Sequence, residues 1–110
     1  MKTLTIFIND QVAHEYDKET ALDEQKLAFF NNMDADMEKG IKVQGELITS
    51  PDQKQRAKFV VLNLIKALQQ DNDAIISASC AYLVNRLPAL IEVHANDQGC
   101  VINIEFVDEH

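Results

Sequence analysis

Tryptophan is absent from this chain of 110 residues, and five Phe and two Tyr are its only other large aromatics, so aliphatic side chains must supply most of its core. Glycine is nearly as scarce. Gly40, Gly45 and Gly99 stand too far apart to form a loop that cradles phosphate. The two cysteines, Cys80 and Cys100, are twenty positions apart in apolar surroundings. Small secreted domains usually carry more, so the chain reads as a cytoplasmic protein whose thiols are reduced and buried. His14 and His94 add no zinc-type spacing to those cysteines, and no metal or cofactor is expected. Long hydrophobic runs are missing as well. The stretch 74–84 is the longest weakly apolar one, includes Ser77 and Ser79, and falls far short of a membrane span. The apolar residues near the start (Leu4, Ile6, Phe7, Ile8) are too few for a signal sequence and alternate like a strand.

Basic charge is in deficit. Ten Lys and Arg against eighteen Asp and Glu give a formal net charge of −8, a field that repels nucleic acid and anionic membrane surfaces. Lys54, Arg56 and Lys58 are the one basic group. At alternate positions of a helix they point to different faces and make a poor phosphate track.

The remainder has the composition of an ordinary globular protein, 46% hydrophobic and 25% charged, and the length suits one domain over 1–110. Residues 3–9 alternate, with Leu4, Ile6 and Ile8 on one side, and predict a strand that ends at Asn9-Asp10. Residues 11–19 read as a connection under which Val12 and Tyr16 pack. Thr20, with Asp23 three places on, predicts the start of a helix whose apolar stripe is Leu27, Phe30, Met33, Met37 and Ile41, widened by Phe29. Gly40 suits its end.

Ser50-Pro51-Asp52-Gln53 predicts a second helix start, with Ser50 as cap and Pro51 at the first helical position. Ala57, Val60, Val61, Leu64, Ile65 and Leu68 follow at helical spacing. Asp71-Asn72-Asp73 breaks that helix and offers Asp73 as cap of a third, which runs to about Leu87, ahead of Pro88. Between Asp73 and Arg86 this third helix has no charge and several small residues, the pattern of a helix enclosed on several sides. Residues 90–95 and 100–107 alternate on either side of Asn96-Asp97-Gln98-Gly99 and predict a β-hairpin. Its inward set is Ile91, Val93, Ala95, Cys100, Ile102, Ile104 and Phe106.

The fold class that follows is α+β in the order β-α-α-α-β-β. Three helices pack on one face of a small three-stranded sheet, antiparallel or mixed, with the last and most apolar strand in the middle.

No reactive constellation stands out. Asp34, Asp36 and Glu38 ahead of Gly40 imitate the opening of a calcium loop, but Lys39 occupies the turn position and Gly45 the place of the bidentate Glu. An acidic helix face accounts for them. Ser77-Ala78-Ser79-Cys80 lies within a helix pattern, not at a nucleophile elbow. Glu92 and Glu105 are paired carboxylates on outer strand faces with no cleft implied. No catalytic, cofactor-binding or metal-binding residue is assigned.

Two function classes remain. One is a non-enzymatic interaction or accessory protein that binds a protein partner or forms a homodimer. The other is a small-ligand binder or enzyme whose site assembles from scattered residues such as Tyr82, Arg86, Glu92 and His94. Mimicry of nucleic acid by the acidic helix surface is a third, resting on net charge alone. For the first class the sequence offers a surface. Alternation sends Phe7, with Thr3 and Thr5, to the sheet face away from the helices, together with Glu92, His94, Val101, Asn103, Glu105 and Val107. That set is rich in hydrophobes for a free face and has neither Lys nor Arg.

Overall fold

The structure is a computed structural model and describes residues 3–19, 24–99 and 101–108. In chain order the elements are strands β1 (Thr3–Ile8) and β2 (Gln11–Asp17), helix α1 (Glu24–Glu38), strands β3 (Ile41–Val43) and β4 (Glu46–Ile48), helices α2 (Gln53–Gln69) and α3 (Asp73–Arg86), and strands β5 (Leu90–Asp97) and β6 (Ile102–Asp108). The class is mixed α+β with three helices, as the sequence implies. The sheet differs: it has four strands in the order β2-β1-β5-β6, and β3 and β4 form a separate two-stranded ribbon. The chain divides into two compact units, Met1–Thr20 with Leu83–His110, and Ala21–Tyr82.

The first unit holds the four-stranded sheet. Its extra strand is β2, which sequence reading takes for a connection. Asn9 and Asp10 adopt φ of 52° and 66°, and Ile8 pairs with Gln11 across them. Positive φ at both central residues is the requirement of a type I′ hairpin turn, and Asn and Asp tolerate it best after glycine. β2 is an edge strand of mixed polarity, so its alternation is faint. Val12 does not pack beneath the chain, being 56% exposed. β1 pairs with β5 in parallel, and β5 with β6 antiparallel.

The central positions therefore belong to β1 and β5, and β6 lies at an edge rather than in the middle. Parallel partners need a long crossover, which the segment between β2 and β5 provides, whereas the short β5–β6 turn brings β6 to the remaining side of β5. Leu4 and Ile6 of β1 and Val93 and Ala95 of β5 are buried, with Ile104 of β6. Ile91, Ile102 and Phe106 of the expected inward set are only half-buried. Two contacts clamp the sheet ends. Asn9 Oδ1 accepts from Asp97 N at 2.9 Å, and Lys18 Nζ donates to the carbonyls of Pro88 and Leu90 at 2.9 Å each.

In the second unit α1 buries Phe30 and Met37, with Met33 half-covered. The outer members of its stripe do not follow: Leu27 is 41% and Phe29 47% exposed. Gly40, at φ 116°, ends the helix, and Ile41 belongs to β3. A second turn of positive φ, at Gln44 and Gly45, joins β3 to β4.

The cap of α2 lies two residues later than Ser50. Asp52 Oδ1 accepts from Gln55 N at 2.8 Å, and Gln55 Oε1 accepts from Asp52 N at 2.9 Å, a reciprocal capping box. A carboxylate with Gln three places on satisfies two orphan donors, which Ser50, held at φ 51°, does not. Along α2, Ala57, Val60, Val61, Leu64, Ile65 and Ala67 are buried, whereas Leu68 is half-exposed. The cap of α3 lies one residue earlier than expected: Asn72 Oδ1, not Asp73, accepts from Ile75 N, at 3.3 Å.

Ser79 to Leu83 are all buried, more than one full turn, so the middle of α3 is enclosed all round. Its first turns are not, since Ala74, Ile75 and Ser77 are exposed. The helix start expected at Thr20 and Asp23, and the inward position of Cys100, lie outside the described residues.

Candidate interaction face

Register decides which side chains of the first unit share a surface. Phe7 pairs with Val12 on one side and His94 on the other, and His94 pairs with Glu105. One row across all four strands is therefore Val12, Phe7, His94, Glu105. The next row is Glu15, Thr5, Glu92, Val107, by the same pairings. Asn96 opposite Asn103 and Thr3 opposite Asp17 extend the face at its ends. Every one of these residues is exposed or half-exposed, whereas the opposite face carries the buried Leu4, Ile6, Val93 and Ala95.

Eight of the nine residues that alternation sends to this face thus come together: Thr3, Thr5, Phe7, Glu92, His94, Asn103, Glu105 and Val107. Val101 does not join the ladder. It precedes β6, is 52% exposed, and its carbonyl accepts from Gln98 N at 2.9 Å. The residues that sequence reasoning misses are Val12, Glu15 and Asp17, all on β2. The signal that locates them is the Asn9-Asp10 pair.

The centre of the face is ordered by its own side chains. The Phe7 and His94 rings are stacked, with centroids 4.5 Å apart and planes 3° from parallel. Glu92 and His94, two apart on one strand, meet on the same side, with Oε1 and Nε2 at 2.8 Å. Val12 and Glu105 flank this aromatic pair in its own row, Glu92 and Val107 stand side by side in the next, and the carboxylates of Glu15 and Asp17 lie along β2. Among the described residues no Lys or Arg stands in these rows. Cross-strand stacking of this kind fixes ring orientation and leaves one ring face and the ring edges available.

The other constellations are engaged in structure. Asp34 is helical, and its Oδ1 accepts from the Tyr82 hydroxyl at 2.6 Å and faces Arg56 Nη1 at 3.3 Å. Arg56 also reaches Glu38 at 3.5 Å and the Pro51 carbonyl at 3.2 Å, which draws it away from Lys54 and Lys58. Phe30 meets the Tyr82 ring edge-on at 5.9 Å. Asp34, Arg56 and Tyr82 thus tie α1, α2 and α3 together. Among the scattered residues of the ligand-site reading, Glu92 and His94 meet. Arg86 Nη1 donates to Asn85 Oδ1 at 2.6 Å.

Cys80 is fully buried, and burial pushes its thiol up to about 12, the opposite of an activated nucleophile. Among the described residues no group of three or more His, Cys, Asp or Glu is placed to hold a metal, and no helix is long and apolar enough to cross a membrane.

One apolar groove lies in the second unit. Phe29, Phe30, Ala74, Ile75, Ala78 and Ala81 line it between α1 and α3, with Gln25, Lys26 and Ser77 beside them, and it measures about 440 Å³. Neither a scan against protein-family models nor searches of curated proteins and of solved structures found a match.

Proposed function

We propose that this is a small non-enzymatic interaction or accessory protein that engages a protein partner or a second copy through the exposed face of its four-stranded sheet. The observation that carries the reading is the face itself. A stacked Phe7–His94 pair has Val12 beside it in the same row and Val107 in the next, with polar groups around them, on a side of the sheet whose residues are exposed or half-exposed. Single exposed hydrophobes are ordinary, but a contiguous group rimmed by polar residues is the anatomy of a contact surface. The edge strand β6 adjoins the face and offers backbone groups that a partner strand can extend.

Affinity capture with three proteins tests this. Wild type and the α1 variant Asp36→Asn should retain the same partner, and Phe7→Glu, with an unchanged circular dichroism spectrum, should lose it. Retention by Phe7→Glu would place the contact elsewhere. Light scattering on the same proteins reports whether the partner is a second copy.

A second reading, a binder of a small ligand, draws on the groove between α1 and α3. Its apolar walls and polar margin suit a mainly apolar molecule with one polar end. A thermal-shift screen addresses it, because a ligand that binds only the native state raises the melting temperature. An Ala78→Trp variant that folds should abolish any such shift.

A further inference from the structure

We infer that the sheet face around Phe7 and His94 takes an arginine- or lysine-bearing segment of another protein, not a second copy of this chain. The inference rests on the proposed interaction role of that face and names the chemistry of its occupant.

Charge discriminates first. The cross-strand register collects Glu15, Asp17, Glu92 and Glu105 on one face with no Lys or Arg among the described residues of those rows. Two copies meeting face to face would set these carboxylates against one another, on chains that each carry a net charge of −8. Opposed like charges disfavour such a contact, whereas a cationic partner meets a complementary potential that also speeds encounter.

Size points the same way. Three inter-strand spacings and about five residues of length give a face of roughly 15 Å by 17 Å. That is well below the ~800 Å² per partner of a standard stable interface, and it suits a short segment better than a flat dimer contact.

Shape narrows the choice of side chain. The stacked rings present an aromatic surface beside Glu92, which meets His94 at 2.8 Å, and across from Glu105, which pairs with His94 in the ladder. A planar guanidinium stacks on such a ring and takes a carboxylate through two N–H groups at once, so arginine fits better than lysine.

The experiment maps backbone amide shifts of labelled protein on addition of a short Arg/Thr peptide and of its Gln-for-Arg and Glu-for-Arg analogues. The Arg peptide should shift Phe7, Val12, His94 and Glu105 before any α1 amide, and neither analogue should do so. Glu15→Gln/Glu105→Gln should weaken that binding roughly fivefold to tenfold, whereas Glu24→Gln/Asp36→Asn, the same charge change on α1, should not. Equal weakening by both double variants, or shifts centred on α1, would overturn the inference. If the Gln or Glu analogue binds this face as well as the Arg peptide, the cationic assignment falls and the interaction role stands. The cationic assignment falls in the same way if wild type self-associates and Phe7→Glu makes it monomeric. If no peptide touches the face and the protein is monomeric, both fall.

Discussion

At the scale of single residues, two buried groups carry effects large enough to measure. The Tyr82 hydroxyl, on a side chain that is 1% exposed, donates to Asp34 at 2.6 Å. Tyr82→Phe keeps the ring and its edge contact with Phe30 and removes one bond to a carboxylate, so it should cost about 1–2 kcal/mol in denaturant unfolding. In a double-mutant cycle with Asp34→Ala, which removes the acceptor, the two changes should be coupled, and simple additivity would show that the bond contributes nothing. Cys80 supplies a pH dependence. Burial raises its thiol from 9.0 to about 12, so the folded state keeps a proton that the unfolded state releases. The associated stability is intact below about pH 9 and is lost as pH climbs toward 12. Between about pH 8 and about pH 10.5 wild type should lose roughly 2 kcal/mol more than Cys80→Ala. Equal losses would mean that the thiol ionises freely in the native state. Buried aliphatic positions such as Val60, Val61 and Leu64 are legible from spacing alone. The Asp34–Tyr82–Arg56 contacts are not, because they join residues 22 and 48 positions apart that no local pattern links.

At the scale of elements, α3 shows both the reach and the limit of pattern reading. Its uncharged run correctly signals enclosure, but only from Ser79 to Leu83, because small uncharged residues suit an exposed turn as readily as a crowded one. The difference is measurable. Ala81→Asp should bury an unpaired charge and destabilise the fold by several kcal/mol, on the order of 3. Ser77→Asp, one turn earlier and exposed, should change stability by less than about 0.5 kcal/mol. Similar costs for both would contradict the description of α3. β2 and the β3–β4 ribbon are illegible for a different reason. Each depends on a two-residue turn of positive φ built largely without glycine, and β2, as an edge strand, has no buried face to impose a strong alternation. Spacing alone puts the cap of α2 two residues early because Ser50-Pro51 carries a competing start signal. Replacing the true cap, Asp52→Ala, should cost about 1 kcal/mol, against a few tenths for Ser50→Ala.

At the scale of the molecule, the sequence carries the mixed α+β class, the three helices and the closing hairpin, together with the two faces of β1, β5 and β6. It does not carry strand order. Which strand is central depends on the parallel pairing of β1 with β5, residues almost ninety positions apart, and nothing local encodes that partnership. The interaction face is legible in part for the same reason. Alternation assigns Phe7, Glu92, His94, Asn103, Glu105 and Val107 to one side of their strands. Only the register shows that they are neighbours and that Val12, Glu15 and Asp17 complete the surface. The central claim is that this face is where the protein meets its partner. A photo-crosslinking residue placed at Val12, in cells that carry the protein natively, tests it most directly, with Lys54 on α2, also exposed, as control. One discrete cross-linked species is expected from Val12, reduced on Glu15→Gln/Glu105→Gln substitution, and none from Lys54. The same species from Lys54, or none from Val12 while a partner is still captured, would contradict the claim.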